Sequence, residues 1–373
     1  MTRRRSRPTF RRSTNCIGRI TRLLWALAVV GALAACTVTP TATPTGPPPS
    51  AAEAEIPELD PDRRPVFVST DMSGDDTVAL LYLLSHPEVQ VLGIGSSEGV
   101  AFTKEGARNA LRLVALVGRE DVPVAIGKEG PLEGENAFPS SWRRGASQPL
   151  GDWAPEAGAE PVFESTSELL TKVVNANPGQ VTVVILGAHT DVALALRNQA
   201  GLAERFKDIL IMGGAVHAPG NIHKEYSQIA NEVAEWNLWV DPIATAEVFA
   251  AGIPLHMVPL DATDLVKVDG AFHESFVAQV QSEAAKATAQ LWQARAGSSS
   301  GFFIWDVVAA VALTLPDAAE WESLPIEVVV DEPDHEGWTR VADGLAPNAH
   351  VSVDVDASQI LDEITRVLNH SYR

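Results

Sequence analysis

Cysteine is nearly absent: two residues in 373, Cys16 and Cys36, both near the start. Beyond Cys36 no thiol remains to pair or to ligate a metal, which excludes disulfides and cysteine metal sites there. Long apolar runs are scarce as well. The run that stands out, "LLWALAVVGALAAC" from Leu23 to Cys36, is short for a membrane span and suits a secretory signal. Positive charge is the third scarcity, with 28 Lys and Arg against 48 Asp and Glu and a formal charge of −20. The first 35 residues hold eight arginines and no acid, so the remainder stands close to −28. A nucleic-acid partner is thereby disfavoured, because a phosphate backbone recruits cations. Solubility suffices to explain the acidity. What is plentiful is apolar content, 46%, enough for a sizeable core in a globular chain.

Three segments follow. Residues 1–35 read as a signal peptide, and "LAAC", Leu33 to Cys36, resembles the lipobox of bacterial lipoproteins, in which cleavage precedes a cysteine that then receives lipid. Cys36 is the expected lipidation site, anchoring an extracytoplasmic protein to the cell membrane; an uncleaved anchor or a plain secreted protein is the alternative. Residues 36–65 are rich in Pro, Thr and Ala without apolar period and read as an extended tether. Residues 66–373 read as one α/β domain. Short β-branched runs ("VFVST", "VQVLGIG", "VPVAIG", "VTVVIL", "DILIMGG", "IPLHMVPLD") alternate with helical stretches at Asp75 to Ser85, Thr103 to Val117, Glu164 to Asn175 and "DVALALRN". Continuous apolar strands separated by helices predict a mainly parallel central sheet with helices on both faces. Beyond Leu315, "IEVVVD" and "AHVSVDVD" read as antiparallel additions. Lys128 to Pro161 lacks periodic order, and long connections of this kind often carry function.

At the end of the first strand, "VFVSTDMSGDDTVALLYLL" crowds Asp71, Asp75 and Asp76 into six positions. Carboxylates that close resist ionising together unless a cation or a proton lies between them. In open α/β sheets ligands gather at the carboxyl ends of strands, which is where these acids fall. An aspartyl phosphatase would place a second acid two residues beyond Asp71; Ser73 stands there.

With its neighbours this motif resembles the inosine-uridine nucleoside hydrolase family, whose opening motif is DxDPGxDDxxAL. Asp71, Asp75, Asp76, Ala79 and Leu80 match; Met72-Ser73-Gly74 departs from the usual lead-in. "VLGIGSSEG", "VVILGAHTDVALAL", "LIMGGAV", Gly220-Asn221, "EWNLWVDP", "VPLDAT" and "FFIWDVVAAV" follow in family order, so the likeness runs from about Val66 to the C-terminus. It implies hydrolysis of the N-glycosidic bond of ribonucleosides, with one Ca2+ held by Asp71, Asp76, the main-chain carbonyl of Leu186, and Asp306. A hard cation with six to eight oxygen ligands suits such donors. Asp71 is implied as the base that activates water; Asp75 and Asn237 as ligands of the ribose hydroxyls; Asn221 and Glu235 as holding the 5′-hydroxyl; Met212 as lining the ribose pocket. Family members commonly form dimers or tetramers. A lipoprotein that binds nucleosides without cleaving them is the competing reading, and the intact Asp71 argues against it.

Many members place a histidine directly before the last metal-binding aspartate; here Trp305 stands there, and indole cannot serve as an acid at neutral pH. The purine-specific branch shares that tryptophan and has a second in a loop resembling "AFPSSWRR", here Trp142. Two indoles stacked on a purine would favour its protonated form, which predicts purine preference. Where the family supplies an Asn or Asp to the ribose, the alignment puts Val100, so either Glu98 reaches the sugar or that contact is absent. His189 reads as surface or packing, and His217 and His223 as parts of a mobile lid near Asn221.

Overall fold

The computed structural model describes residues 52–148, 150–295 and 301–370. The predicted signal, Cys36 and the tether up to residue 51 lie outside the described residues. β1 (Arg64–Thr70) leads into α1 (Gly74–Ser85), β2 (Val89–Ser96), α2 (Thr103–Leu116) and β3 (Val124–Ala125). Next come α3 (Ser140–Ala146), α4 (Thr166–Ala176), β4 (Thr182–Leu186), α5 (Thr190–Asn198), β5 (Asp208–Met212), α6 (Ile222–Glu225), α7 (Trp236–Val240) and α8 (Pro242–Ala250). β6 (Leu255–Val258), α9 (Leu260–Thr263), β7 (Lys267–Val268), α10 (Gly270–Val277), α11 (Glu283–Gln293), β8 (Phe302–Phe303) and α12 (Trp305–Thr314) follow. The last elements described are β9 (Ala319–Leu324), β10 (Ile326–Val328), β11 (Thr339–Val341), β12 (Ala349–Val355) and α13 (Ala357–Asn369).

Eight of these strands form one sheet in the order β3-β2-β1-β4-β5-β6-β12-β9. Successive side chains of a strand point to opposite faces, and both faces are covered here. Val66 and Val68 of β1, Val184 and Leu186 of β4, and Leu210 and Met212 of β5 enter a core shared with α1, α2, α11, α12 and α13. Their neighbours Phe67, Val183, Ile185, Ile209 and Ile211 enter a second core under α4, α5 and α8. That two-sided burial is why these strands read as unbroken apolar runs. Strand order reverses between β1 and β4, both parallel to their partners, which opens a crevice beyond their carboxyl ends.

Two expectations need correcting. "AHVSVDV", expected to be an antiparallel addition, is β12; it does pair antiparallel on one side but on the other joins the main sheet parallel to β6, through His350↔His256 and Val351↔Met257. Its antiparallel partner is β9, "AEWESL", an edge strand with no fully buried residue, whose two glutamates hide it from an apolar reading. β10 does pair antiparallel, with β11, in a separate ribbon. Residues 52–63, read as tether, have no regular element but are docked: Ala54 N–H donates to Glu164 at 3.0 Å, and Ile56 and Leu59 pack on the second core. The buried Gln90 bonds this segment twice, accepting from Asp60 N–H at 2.8 Å and donating to the Glu58 carbonyl at 2.7 Å.

Candidate active site

The turn from β1 into α1 sets the acids in place. Met72, with φ of 58°, occupies the left-handed region that few side chains adopt, and it is fully buried. Strain of this kind persists where the surroundings over-determine it, commonly at functional sites. Ser73 then caps α1 in a capping box: its N–H donates to Asp76 Oδ2 at 2.9 Å, and its hydroxyl accepts from Asp76 N–H at 3.4 Å. The Ser73 hydroxyl also donates to Asp75 Oδ1 at 2.6 Å, and the Thr70 hydroxyl donates to Asp76 Oδ1.

Asp306, on the first turn of α12, approaches from 231 residues away, its N–H donating to Asp75 Oδ2 at 3.4 Å. One carboxylate oxygen from each of Asp75, Asp76 and Asp306 lies within 4.8 Å of the others, and all three residues are buried. Burial, then the charge of Asp76, drives the Asp306 carboxyl well above its ordinary range; burial and Asp75 raise that of Asp76. Asp306 Oδ1 has no hydrogen-bond partner although it is sealed from solvent. An orphaned anionic oxygen among converging carboxylates is what a bound cation would satisfy, and the all-oxygen donor set fits a hard divalent ion. The resemblance implies Asp71 as a ligand where this trio has Asp75, and Asp71 lies directly beside the trio, where the charge of Asp76 acts on it. Asp71 Oδ2 accepts Val100 N–H at 2.7 Å. Burial, then Asp76, raises the Asp71 carboxyl well above the usual range.

Glycine makes that seat possible. A β-carbon on Gly99, at φ 156°, would lie 2.0 Å from Asp71 Oδ2, and one on Gly187 would lie 2.8 Å from Asp71 Cβ. Next to Gly187, the Leu186 carbonyl accepts from Asn237 Nδ2 at 3.4 Å, and the Met212 carbonyl accepts from the same nitrogen at 3.3 Å. Glu235 caps α7, accepting Asn237 N–H at 3.0 Å and Gly214 N–H at 3.1 Å; burial still pushes it up to about 7. Asn221 is buried with Oδ1 unpartnered.

A cavity of about 710 Å³ collects these groups: Asp71, Asp75, Asp76, Asp306, Met212, Asn221, Glu235 and Asn237, with Trp142 and Trp305. Depressions of about 730 and 830 Å³ elsewhere are lined largely by polar and charged side chains and bring no buried acids together. Sequence reasoning missed Phe138, Gly145, Ala146, Glu225, Trp236 and Arg295 among the cavity residues. Trp236 could have been found inside "EWNLW", between the two residues that were singled out. Phe138 stacks on Trp236 at 4.6 Å between centroids, and Trp142 leans on the same indole at 5.4 Å. Trp305 stacks on Phe303 at 5.3 Å and donates its indole N–H to Asp264 at 2.8 Å.

The open alternatives close. Glu98 is buried against Arg143 at 3.0 Å and accepts Gly130 N–H at 2.8 Å; Val100 faces the cavity, so Glu98 supplies no sugar contact. His189 is fully buried and held near pKa 3 by desolvation, which makes it packing and not surface. His217 is exposed, His223 bonds the Ile229 carbonyl at 2.7 Å, and no histidine is among the described residues lining the cavity.

Known proteins give the same picture. Residues 66–362 match the family model described as inosine-uridine preferring nucleoside hydrolase. The chain is 30% identical over 260 residues to uridine nucleosidase 1 of Arabidopsis thaliana, covering 68% of this chain and 74% of that protein. It is 35% identical over 217 residues to the pyrimidine-specific ribonucleoside hydrolase RihA of Salmonella enteritidis PT4, covering 57% of this chain and 65% of that one. A purine-preferring ribonucleoside hydrolase from Gardnerella vaginalis shares the fold with a TM-score of 0.72 at 23% identity, over 82% of this chain and 98% of that structure. An acidic crevice at the reversal of a parallel sheet, bordered by indoles and matched along most of the chain, places the protein in the inosine-uridine preferring nucleoside hydrolase family, hydrolases of N-glycosyl bonds.

Proposed function

We propose that the protein hydrolyses ribonucleosides with a divalent cation, Ca2+, held at Asp75, Asp76 and Asp306 beside Asp71 and the Leu186 carbonyl, and that it prefers purines. The carrying observation is the buried acid cluster with an unpartnered Asp306 Oδ1 inside a cavity walled by indoles. When bound, the ion would hold sugar hydroxyls and water with its positive charge and offset the repulsion among the acids. Asp71 acts as the base. Val100 N–H fixes Oδ2, so Oδ1 takes the proton of water as the water oxygen bonds C1′. The N-glycosidic electron pair leaves with the base, which takes a proton from solvent. The neighbouring carboxylates stabilise positive charge on the sugar. Asn237, Asn221 and Glu235 orient the ribose, and Met212 fills space beside it.

The purine reading rests on Trp142 and Trp305 in one cavity that no described histidine lines. Cation–π attraction, worth about 0.5 to 2 kcal/mol, favours a protonated purine but supplies only part of the acceleration. The names of the Arabidopsis and Salmonella relatives favour a pyrimidine substrate instead. A panel of inosine, adenosine, uridine and cytidine, read by release of reducing sugar, separates the two. Inosine should lead uridine in kcat/KM by at least about tenfold, the size of a modest specificity difference. Equal or reversed rates overturn purine preference, and no ribose from the calcium-loaded protein favours a non-catalytic binder. Location is part of the proposal: lipid on Cys36 would hold the enzyme at the outer face of the membrane, singly or as a dimer or tetramer. Cys36→Ser should release it from the membrane fraction.

A further inference from the structure

Arg143 follows Trp142 on α3 and is itself buried, 8% exposed. Its Nη1 lies 3.0 Å from Glu98 Oε1. Its Nη2 lies 3.1 Å from Glu98 Oε2, 3.2 Å from the Ala101 carbonyl oxygen and 2.7 Å from Glu129 Oε1. The Phe102 ring sits 4.5 Å from the guanidinium carbon. These partners bracket Val100, whose N–H holds Asp71, and Ala101 N–H donates to the Asp71 carbonyl at 3.1 Å. The Glu98 carbonyl accepts Ala188 N–H at 3.2 Å, tying the same segment to the chain beside Gly187. One guanidinium thus joins the helix bearing a cavity indole to the strand exit that aims the base.

Buried ion pairs seldom add net stability, because desolvation offsets the attraction; their better-attested use is to fix one geometry. α3 has seven residues and no side-chain cap, so it needs outside anchors. Its other polar ties are at Ser147, whose hydroxyl accepts Phe102 N–H at 3.1 Å and whose carbonyl accepts from Asn109 at 3.3 Å. Glu129, the third member, also accepts Thr103 N–H at 3.0 Å and so stitches the connection after β3 to the start of α2.

We infer that Arg143 is a positioning residue that couples the seating of Trp142 over the nucleobase to the aim of Asp71 at water. The inference rests on the function proposed above and adds a determinant that touches neither substrate nor metal. Arg143→Gln keeps the stem but cannot span three partners. On inosine its kcat should fall by on the order of 10- to 100-fold, the range that sub-ångström misplacement of a catalytic group produces, with KM rising alongside. Trp142→Phe should raise KM more than it lowers kcat. In the double variant the kcat loss of Arg143→Gln should persist while its KM effect largely disappears, since the indole it seats is gone. Arg143→Lys should recover part of kcat. Unchanged kcat in folded Arg143→Gln, or KM effects that simply multiply, overturns the coupling. Should that variant fail to fold, Glu129→Gln, at a half-exposed position, carries the test: a smaller loss in both constants is expected, and none overturns it. If the wild type cleaves no nucleoside, the functional reading fails by itself. The coupling is then judged by inosine binding through tryptophan fluorescence, where Arg143→Gln should bind about tenfold more weakly and equal affinity sinks it.

Discussion

At the scale of single residues, the site is a balance between carboxylates that repel and the groups that let them stay close. Asp306 Oδ1 has nothing to bond, and burial and its neighbours all favour its neutral form. Replacing a buried, unpaired charge by a neutral isostere is stabilising when no cation is present and destabilising when one is. Asp306→Asn should therefore melt above the wild type in chelator and below it in calcium, measured by thermal unfolding in both buffers. Equal shifts of one sign would deny that a cation sits there. Gly99→Ala carries a second expectation. Its new methyl would stand 2.0 Å from Asp71 Oδ2 at a backbone angle that alanine resists, so the carboxylate must swing away. Turnover should drop by about 100-fold or more with the fold retained by circular dichroism, the loss expected when a general base is mis-set. These acids were legible in the sequence because their spacing is tight. Val100's role was not: the bond to Asp71 comes from its backbone N–H, which no side chain advertises.

Among elements, α5 and α7 each carry an acid at the N-terminus that burial outweighs: Asp191 in the first turn of α5 and Glu235 as the cap of α7, both pushed up to about 7. The unfolded chain releases these protons near 3.8 and 4.5, while the folded chain keeps them to about 7. Between those limits the native state binds more protons, so stability falls as pH rises through the window and flattens above it. Melting temperature of the chelated protein should decline from about pH 4.5 to 7, and Asp191→Asn should make the slope shallower. A slope unchanged by that substitution would show Asp191 ionised throughout. The helices with strong apolar runs or acid-rich starts, α1, α2, α4 and α5, were readable to within a few residues. α3 was not, being a seven-residue helix of about two turns without a side-chain cap inside a connection that composition marks as irregular. β9 escaped for a different reason: as an edge strand it has one covered side and can afford charges.

Across the whole molecule, the two-sided burial of the parallel sheet was legible because unbroken apolar strands have few other uses. What sequence did not disclose was long-range pairing, such as β12 beside β6 or the segment 52–63 laid over the domain, since neither leaves a local period. Gln90 measures how firmly that segment is held. Its amide makes one bond each way, to Asp60 N–H and the Glu58 carbonyl. Gln90→Ala should cost about 1 to 3 kcal/mol, the worth of two partly buried bonds, read from denaturant unfolding. A loss near zero would mean that the two Gln90 bonds do not help to hold residues 52–63 on the domain. Asp306 reaches Asp75 from 231 positions downstream. A nascent polypeptide synthesised only as far as α11 therefore offers two of the three converging oxygens, and on the proposed function ion capture would await about the final fifth of the chain. On that proposal, cation uptake would double as a timestamp for completed assembly, and a product truncated before α12 would announce itself by failing to hold the ion.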